Sequence, residues 1–126
     1  MKILGIDYGK KKVGFAISEG LSASPYKIIE ITSLADALQQ VLHVIKNEKI
    51  EQVVIGLAES GESKSMTEKF ITELKKEINV ITVAETLSSH NADIQMSEMG
   101  VQKSMKGQND AIAASLILQE YLDSRH

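Results

Sequence analysis

Apolar and polar positions change rhythm twice along this chain. Residues 2 to 8 and 12 to 18 are rich in strand formers, and in the second run Val13, Phe15 and Ile17 alternate with Gly14, Ala16 and Ser18. A period of two marks half-buried strands, and Gly9-Lys10-Lys11 between the runs predicts a hairpin turn. After a loop from Gly20 to Pro25, Tyr26-Lys27-Ile28-Ile29-Glu30-Ile31 predicts a third strand. The rhythm then lengthens: Ser33 reads as an N-cap, and Leu34, Ala37, Leu38, Val41, Leu42 and Ile45 keep helical spacing. Gln52-Val53-Val54-Ile55-Gly56-Leu57 is nearly continuous in apolar residues, as expected of a strand buried on both faces and reached by a helical crossover. A helix over roughly 64 to 77, with Met66, Phe70, Ile71 and Leu74 inward, precedes a short strand, Val80-Ile81-Thr82-Val83-Ala84. Two helices finish the chain, near 88 to 98 and from Asn109 to about Asp123, the last packing Ala111, Ile112, Ala114, Ser115, Leu118 and Leu122. Between them, Gly100 to Gln108 carries Lys103 and Lys106 and no acid, and reads as a mobile basic loop.

The order β-β-β-α-β-α-β-α-α predicts an α/β fold: a five-stranded mixed sheet, a three-strand meander plus two parallel strands, with helices on both faces. Ligands of such sheets gather beyond the carboxyl ends of the strands. Three acids fall at those points: Asp7 near the end of the first strand, Glu85 just past the fifth, and Asp110 opening the last helix. After Ile3-Leu4-Gly5-Ile6 a further apolar residue is expected at position 7, and an ionised carboxylate there costs several kcal/mol unless it is paired or metal-bound. Three convergent carboxylates suit Mg²⁺ or Mn²⁺, and two such ions roughly 4 Å apart serve phosphodiester hydrolysis. Each acid also has a plainer account. Asp7 can initiate the turn before Gly9, Asp110 can serve the first turn of its helix, and Glu85 can flank a helix start at Ser88. Their joint placement in one topology is what favours a site.

Composition narrows the field. With 126 residues and 43% hydrophobic content, residues 1–126 are expected to form a single domain. Cysteine is absent, so a metal must be held by oxygen or imidazole, and a reducing cytoplasmic location is expected. No stretch approaches the roughly 18 apolar residues of a membrane span. A net charge of -3 makes any nucleic-acid role depend on local basic patches. Lys10, Lys11 and Lys12 beside Asp7, Lys103 and Lys106 in the loop, and Ser88 and Ser89 at a helix start are the candidates for phosphate contacts. Lysines at a turn are more often solvated, and serines there more often cap. His90 lacks a visible partner, His43 reads as structural, and Met96, Met99 and Met105 read as packing residues.

Gly5-Ile6-Asp7-Tyr8-Gly9, the run from Lys11 to Ser18, Val54-Ile55-Gly56-Leu57, Glu85-Thr86-Leu87-Ser88-Ser89 and the stretch from Asp110 to Asp123 together resemble the YqgF-like family. These are small bacterial proteins with a ribonuclease H-like fold, described as pre-16S rRNA nucleases and as Holliday junction resolvases. The resemblance spans nearly the whole chain in order, and its first and last blocks are the most specific. It implies that Asp7, Glu85 and Asp110 match the family's acidic triad, and that the chain is a metal-dependent nuclease acting on structured RNA in ribosomal RNA maturation. Expected partners are structured RNA or branched DNA and ribosome precursors, with the protein a monomer or weak homodimer and no membrane partner.

This chain departs from the family pattern at several points. The usual Asp-Glu-Arg-Leu-Thr-Thr becomes Ala84-Glu85-Thr86-Leu87-Ser88-Ser89, Gly-Leu-Pro becomes Gly56-Leu57-Ala58, and Lys12 replaces a frequent Arg, keeping charge but losing the bidentate fork. The changes bear on substrate affinity more than on metal binding. Three other readings remain: a Holliday junction resolvase with the same chemistry, a catalytically silent RNA-binding module, and an ATPase of the actin and sugar-kinase type. The last needs two lobes, and the chain has length for one.

Overall fold

A computed structural model of the chain describes residues 1–57, 61–84 and 109–124, with the Asn109 side chain excepted. Eight elements follow in order: β1 (Ile3–Tyr8), β2 (Lys12–Ser18), β3 (Ala23–Glu30), α1 (Leu34–Glu48), β4 (Gln52–Leu57), α2 (Gly61–Leu74), β5 (Val80–Ala84) and α3 (Asn109–Ser124). The strands form one sheet ordered β3-β2-β1-β4-β5. β1 pairs antiparallel with β2, and β2 with β3, whereas β1, β4 and β5 run parallel. The mixed sheet expected from the rhythm of the chain is therefore present. The expected helix over 88 to 98 and the loop from Gly100 to Gln108 lie outside the described residues.

Side-chain alternation assigns each face of the sheet to different helices. Leu4, Ile6, Tyr8, Val13, Phe15, Val53 and Ile55 pack with Ala37, Val41 and Val44 of α1 and Phe70, Ile71 and Leu74 of α2. Ile3, Ala16 and Val54 face the other way, against Ala114, Ile117, Leu118 and Leu122 of α3. The continuous apolar run of β4 is explained by this two-sided cover, since Val53 and Val54 serve opposite cores. Among the described residues no helix is long and apolar enough to cross a membrane.

Two elements depart most from the sequence expectation. β3 begins at Ala23 instead of Tyr26, because Ser18 already pairs with Ala23 and Ile17 with Ser24. Pro25 is tolerated there because β3 is an edge strand and the register shifts at Phe15/Ala16, leaving Tyr26 as an extra residue. α2 runs three residues earlier than expected; beyond Leu74 the chain tightens into i→i+3 bonds, Lys76 N donating to Glu73 O and Glu77 N to Leu74 O.

The entry to α1 is fastened by side chains. Ser33 Oγ accepts from Asp36 N at 3.1 Å, and Asp36 Oδ2 accepts from Thr32 N at 2.9 Å. These two bonds form a reciprocal cap. The Thr32 amide, with Gln40 Nε2 beside it, holds the Asp36 carboxyl below its ordinary range. Replacing Ser33 by Ala should lower stability by about 1 kcal/mol. Urea unfolding should show this as a lower midpoint at unchanged slope.

Candidate active site

Asp7 is the fifth residue of β1; Ile3 and Gly5 share its face, and α3 covers that face. It is half-buried, where the apolar run had suggested a fully buried charge. Across the hairpin Asp7 pairs with Gly14, and Gly5 pairs with Ala16. Small residues at these positions leave a flat patch on which α3 can lie.

The first turn of α3 meets that patch at Gly14. A Cβ on Gly14 would collide with the backbone carbonyl of Asp110 and come within 2.8 Å of Ala111 N. A Cβ on Gly5 would lie 2.8 Å from Leu118 Cβ and 2.9 Å from Ala114 O. Directly paired residues on one sheet face have Cβ positions about 5 Å apart, so the backbone of Asp110 sits beside the place where the Asp7 side chain leaves the sheet. Two half-buried carboxylate residues, remote in sequence, thus share one face and one end of the sheet.

The third acid, Glu85, lies outside the described residues, as do Ser88, Ser89, Lys103 and Lys106. Ala84, the residue before Glu85, ends β5 in register with Leu57, the last residue of β4. β4 in turn runs parallel to β1, with Ile55 beside Ile6. The three parallel strands therefore finish at one edge of the sheet. Among the described residues no group of three or more His, Cys, Asp or Glu is close enough to hold a metal ion.

The lysine turn adjoins this edge. Gly9 N donates to Lys12 O at 3.0 Å, closing the hairpin, and Ile31 N donates to Lys11 O at 2.8 Å, tying the turn to the end of β3. Lys10, Lys11 and Lys12 are exposed and line an open cleft of about 630 Å³ with Glu30, Ile31 and Thr32. Lys10 Nζ lies 3.7 Å from Glu62 Oε1, with both side chains largely in solvent, so that pair adds little stability. A cleft of similar size, about 650 Å³, occupies the opposite end of the sheet around Lys2, Leu21, Tyr26 and Glu48. It is remote from both acids, so size does not choose between the clefts and charge does.

Tyr8 follows Asp7 but points to the opposite face, stacking on Phe70 with ring centroids 4.4 Å apart at 21°. Burial pushes its phenol above the ordinary value. The side chain is thereby a neutral packing group, separated from the acids by the sheet. His43 is exposed on α1, 2.8 Å from Asn47 Nδ2, and takes no part in this site. In the alternating pattern of β2, Gly14 reads as a spacer. Its role was legible in Gly14 and Ala16 occupying one face, a pattern of small residues that invites close helix approach.

The chain matches the profile of the RuvX family, described as Holliday junction resolvase, over residues 1–124. It is 36% identical over 135 residues to a protein of Endomicrobium trichonymphae named "Putative pre-16S rRNA nuclease", covering 97% of this chain and 95% of that protein. The fold is similar to the fowlpox virus Holliday junction resolvase, with a TM-score of 0.64, 18% identity and full coverage of both chains. It is similar as well to Thermus thermophilus RuvC in complex with a Holliday junction substrate, at a TM-score of 0.61 and 14% identity, covering 99% of this chain and 95% of that one. At such identities the likeness concerns the fold, which is the ribonuclease H-like arrangement expected from the motifs. The near-complete profile match and the full-length relative together establish that this chain belongs to the RuvX family.

Proposed function

We propose that this protein is a divalent-cation-dependent nuclease that hydrolyses phosphodiester bonds in structured RNA, in the maturation of the 5′ end of pre-16S rRNA. The observation that carries the reading is the seating of Asp110 on Gly14, directly across from Asp7. The name of the Endomicrobium trichonymphae relative supplies the substrate class.

The donor set fits a hard cation. Asp7 and Asp110 offer carboxylate oxygens on one half-buried face, and no thiol exists in the chain. In the proposed site Asp7 and Asp110 would hold Mg²⁺ or Mn²⁺, with Glu85 completing the set. Bound there, divalent ions would supply Lewis-acid polarisation of the scissile phosphate and, as a pair, would serve a two-metal hydrolysis. The chain's own part is to orient and neutralise. Lys10, Lys11 and Lys12 rise from the turn two to four residues beyond Tyr8 and are positioned to hold a phosphate backbone beside the acids. Lysine serves there as a point charge, so the turn would grip backbone without reading sequence. Ser88, Ser89, Lys103 and Lys106 are proposed to extend the contact. Water attacks phosphorus and the ester P–O bond breaks, without a covalent protein intermediate.

A second reading is a Holliday junction resolvase, favoured by the family's description. The two are separated by Mn²⁺- and Mg²⁺-dependent cleavage of a labelled panel containing precursor ribosomal RNA, single-stranded RNA and a four-way DNA junction. Cleavage confined to the precursor RNA is the expected result. Symmetric nicking of the junction would transfer the assignment to the resolvase. Salt-sensitive RNA binding without cleavage of any substrate would instead identify a silent binding module, a role compatible with Thr86 standing where the family pattern has Arg.

A further inference from the structure

We propose that Gly14 is a positioning residue of the metal site: its missing side chain sets the separation between the Asp7 and Asp110 carboxylates. The inference rests on the reading that these two acids hold a common divalent cation. It adds a residue that carries no metal-ligating group of its own.

The argument begins with what Gly14 does not need. Left-handed backbone among the described glycines occurs at Gly20 and Gly61, and Gly14 instead sits in regular antiparallel register opposite Asp7. Its backbone is one that alanine adopts freely, so conformational freedom does not explain the glycine. Space does. The atoms that a Cβ would strike are the carbonyl carbon and oxygen of Asp110 and the nitrogen of Ala111, all backbone. A flexible side chain could swing aside, whereas this contact is relieved only by moving the helix end or the strand.

Gly5 provides an internal comparison. It makes the same kind of close approach to α3, but at Ala114 and Leu118, one and two turns further along the helix from Asp110. Both glycines seat the helix on the sheet. The contact at Gly14 lies at the end that carries a carboxylate, so a displacement there moves a ligand directly. The contact at Gly5 lies over the apolar cluster of Ile3, Ala16, Leu118 and Leu122, where a shift is absorbed by packing.

The test measures Mn²⁺ binding by titration calorimetry, and thermal midpoints with and without Mn²⁺, for the full-length wild-type protein, Gly14→Ala, Gly5→Ala and Asp7→Asn. Both glycine variants should melt lower than wild type in metal-free buffer. Gly5→Ala should keep the wild-type Mn²⁺ affinity within about twofold, and Gly14→Ala should lose at least about tenfold, the range seen when a group that orients metal ligands is altered. Adding Asp110→Glu to Gly14→Ala should recover part of that affinity, although Asp110→Glu alone weakens binding, because the longer side chain spans the added gap. Equal losses in the two glycine variants would reduce Gly14 to general packing and overturn the inference, as would unchanged affinity in Gly14→Ala. Wild-type protein that binds no Mn²⁺ would overturn the proposed function and this inference with it; wild-type binding abolished by Asp7→Asn keeps the two questions apart. Should Gly14→Ala fail to fold, hydrogen exchange of the wild type decides. Mn²⁺ should slow exchange of the amides of Gly14 and residues 110–112 more than those of residues 114–118, and uniform slowing or none would overturn the proposal.

Discussion

Replacing Asp7 by Asn is expected to abolish cleavage of every substrate while leaving the fold intact. The substitution preserves size and shape and removes the negative charge that a hard cation requires. Asp7 is half-buried on the face covered by α3, and an isosteric amide there leaves the seating of α3 on Gly5 and Gly14 unchanged. In metal-free buffer the thermal midpoint should be unchanged or higher, because a partly desolvated charge has been neutralised. Addition of Mn²⁺ should raise the wild-type midpoint and leave that of the variant where it is, since only a folded state that binds the ion gains from it. The combination is diagnostic. Lost activity with a lowered midpoint would mean that Asp7 acts as a structural turn residue, and undiminished cleavage would remove it from the mechanism altogether.

The second large effect is expected on stability, from Phe70→Ala. Phe70 is fully buried in α2, and its ring stacks on Tyr8 in β1, so it joins the helix to the strand that carries Asp7. Loss of the ring removes its transfer free energy and leaves a cavity beside Tyr8, Leu74 and Ile71, for a total of about 3–5 kcal/mol. In a domain of this size that corresponds to a fall in melting temperature of roughly 10–20 °C, measurable by circular dichroism. Phe70→Leu should recover more than half of the loss, since most of the volume returns. Because Tyr8 points away from the α3 face, the folded fraction of Phe70→Ala should still bind Mn²⁺ at the low temperatures where it survives. A variant that is stable but blind to metal would show that the stack holds Asp7 in place.

Local chemistry determined the elements. The alternation of Val13, Phe15 and Ile17, the cap at Ser33 and the unbroken run from Val53 to Ile55 each follow from neighbours in the chain, and the strands and the first helix appear where those patterns place them. The bounds of β4 and β5 match the expectation residue for residue. Family motifs, read together in order, were sufficient to anticipate the ribonuclease H-like fold. The start of β3 was less legible, because Ser24-Pro25 has poor strand propensity and is held by pairing to β2. The end of α2 was overrun because Lys75, Lys76 and Glu77 are compatible with a helix by composition, while their backbone amides close tighter turns.

The approach of Asp110 to Asp7 belongs to the tertiary structure. In sequence the two are separated by most of the chain, and each taken singly looks like an ordinary turn or helix-start acid. Pairing of β1 with β2 puts Gly14 across from Asp7, and the docking of α3 sets the Asp110 carbonyl on Gly14. The candidate carboxylate residues can be picked out by type and position in the chain. The backbone of Asp110 comes to lie across from Asp7 over a glycine, a residue with no functional group, because steric access across a helix–sheet contact is a property of two surfaces and cannot be read from either element alone.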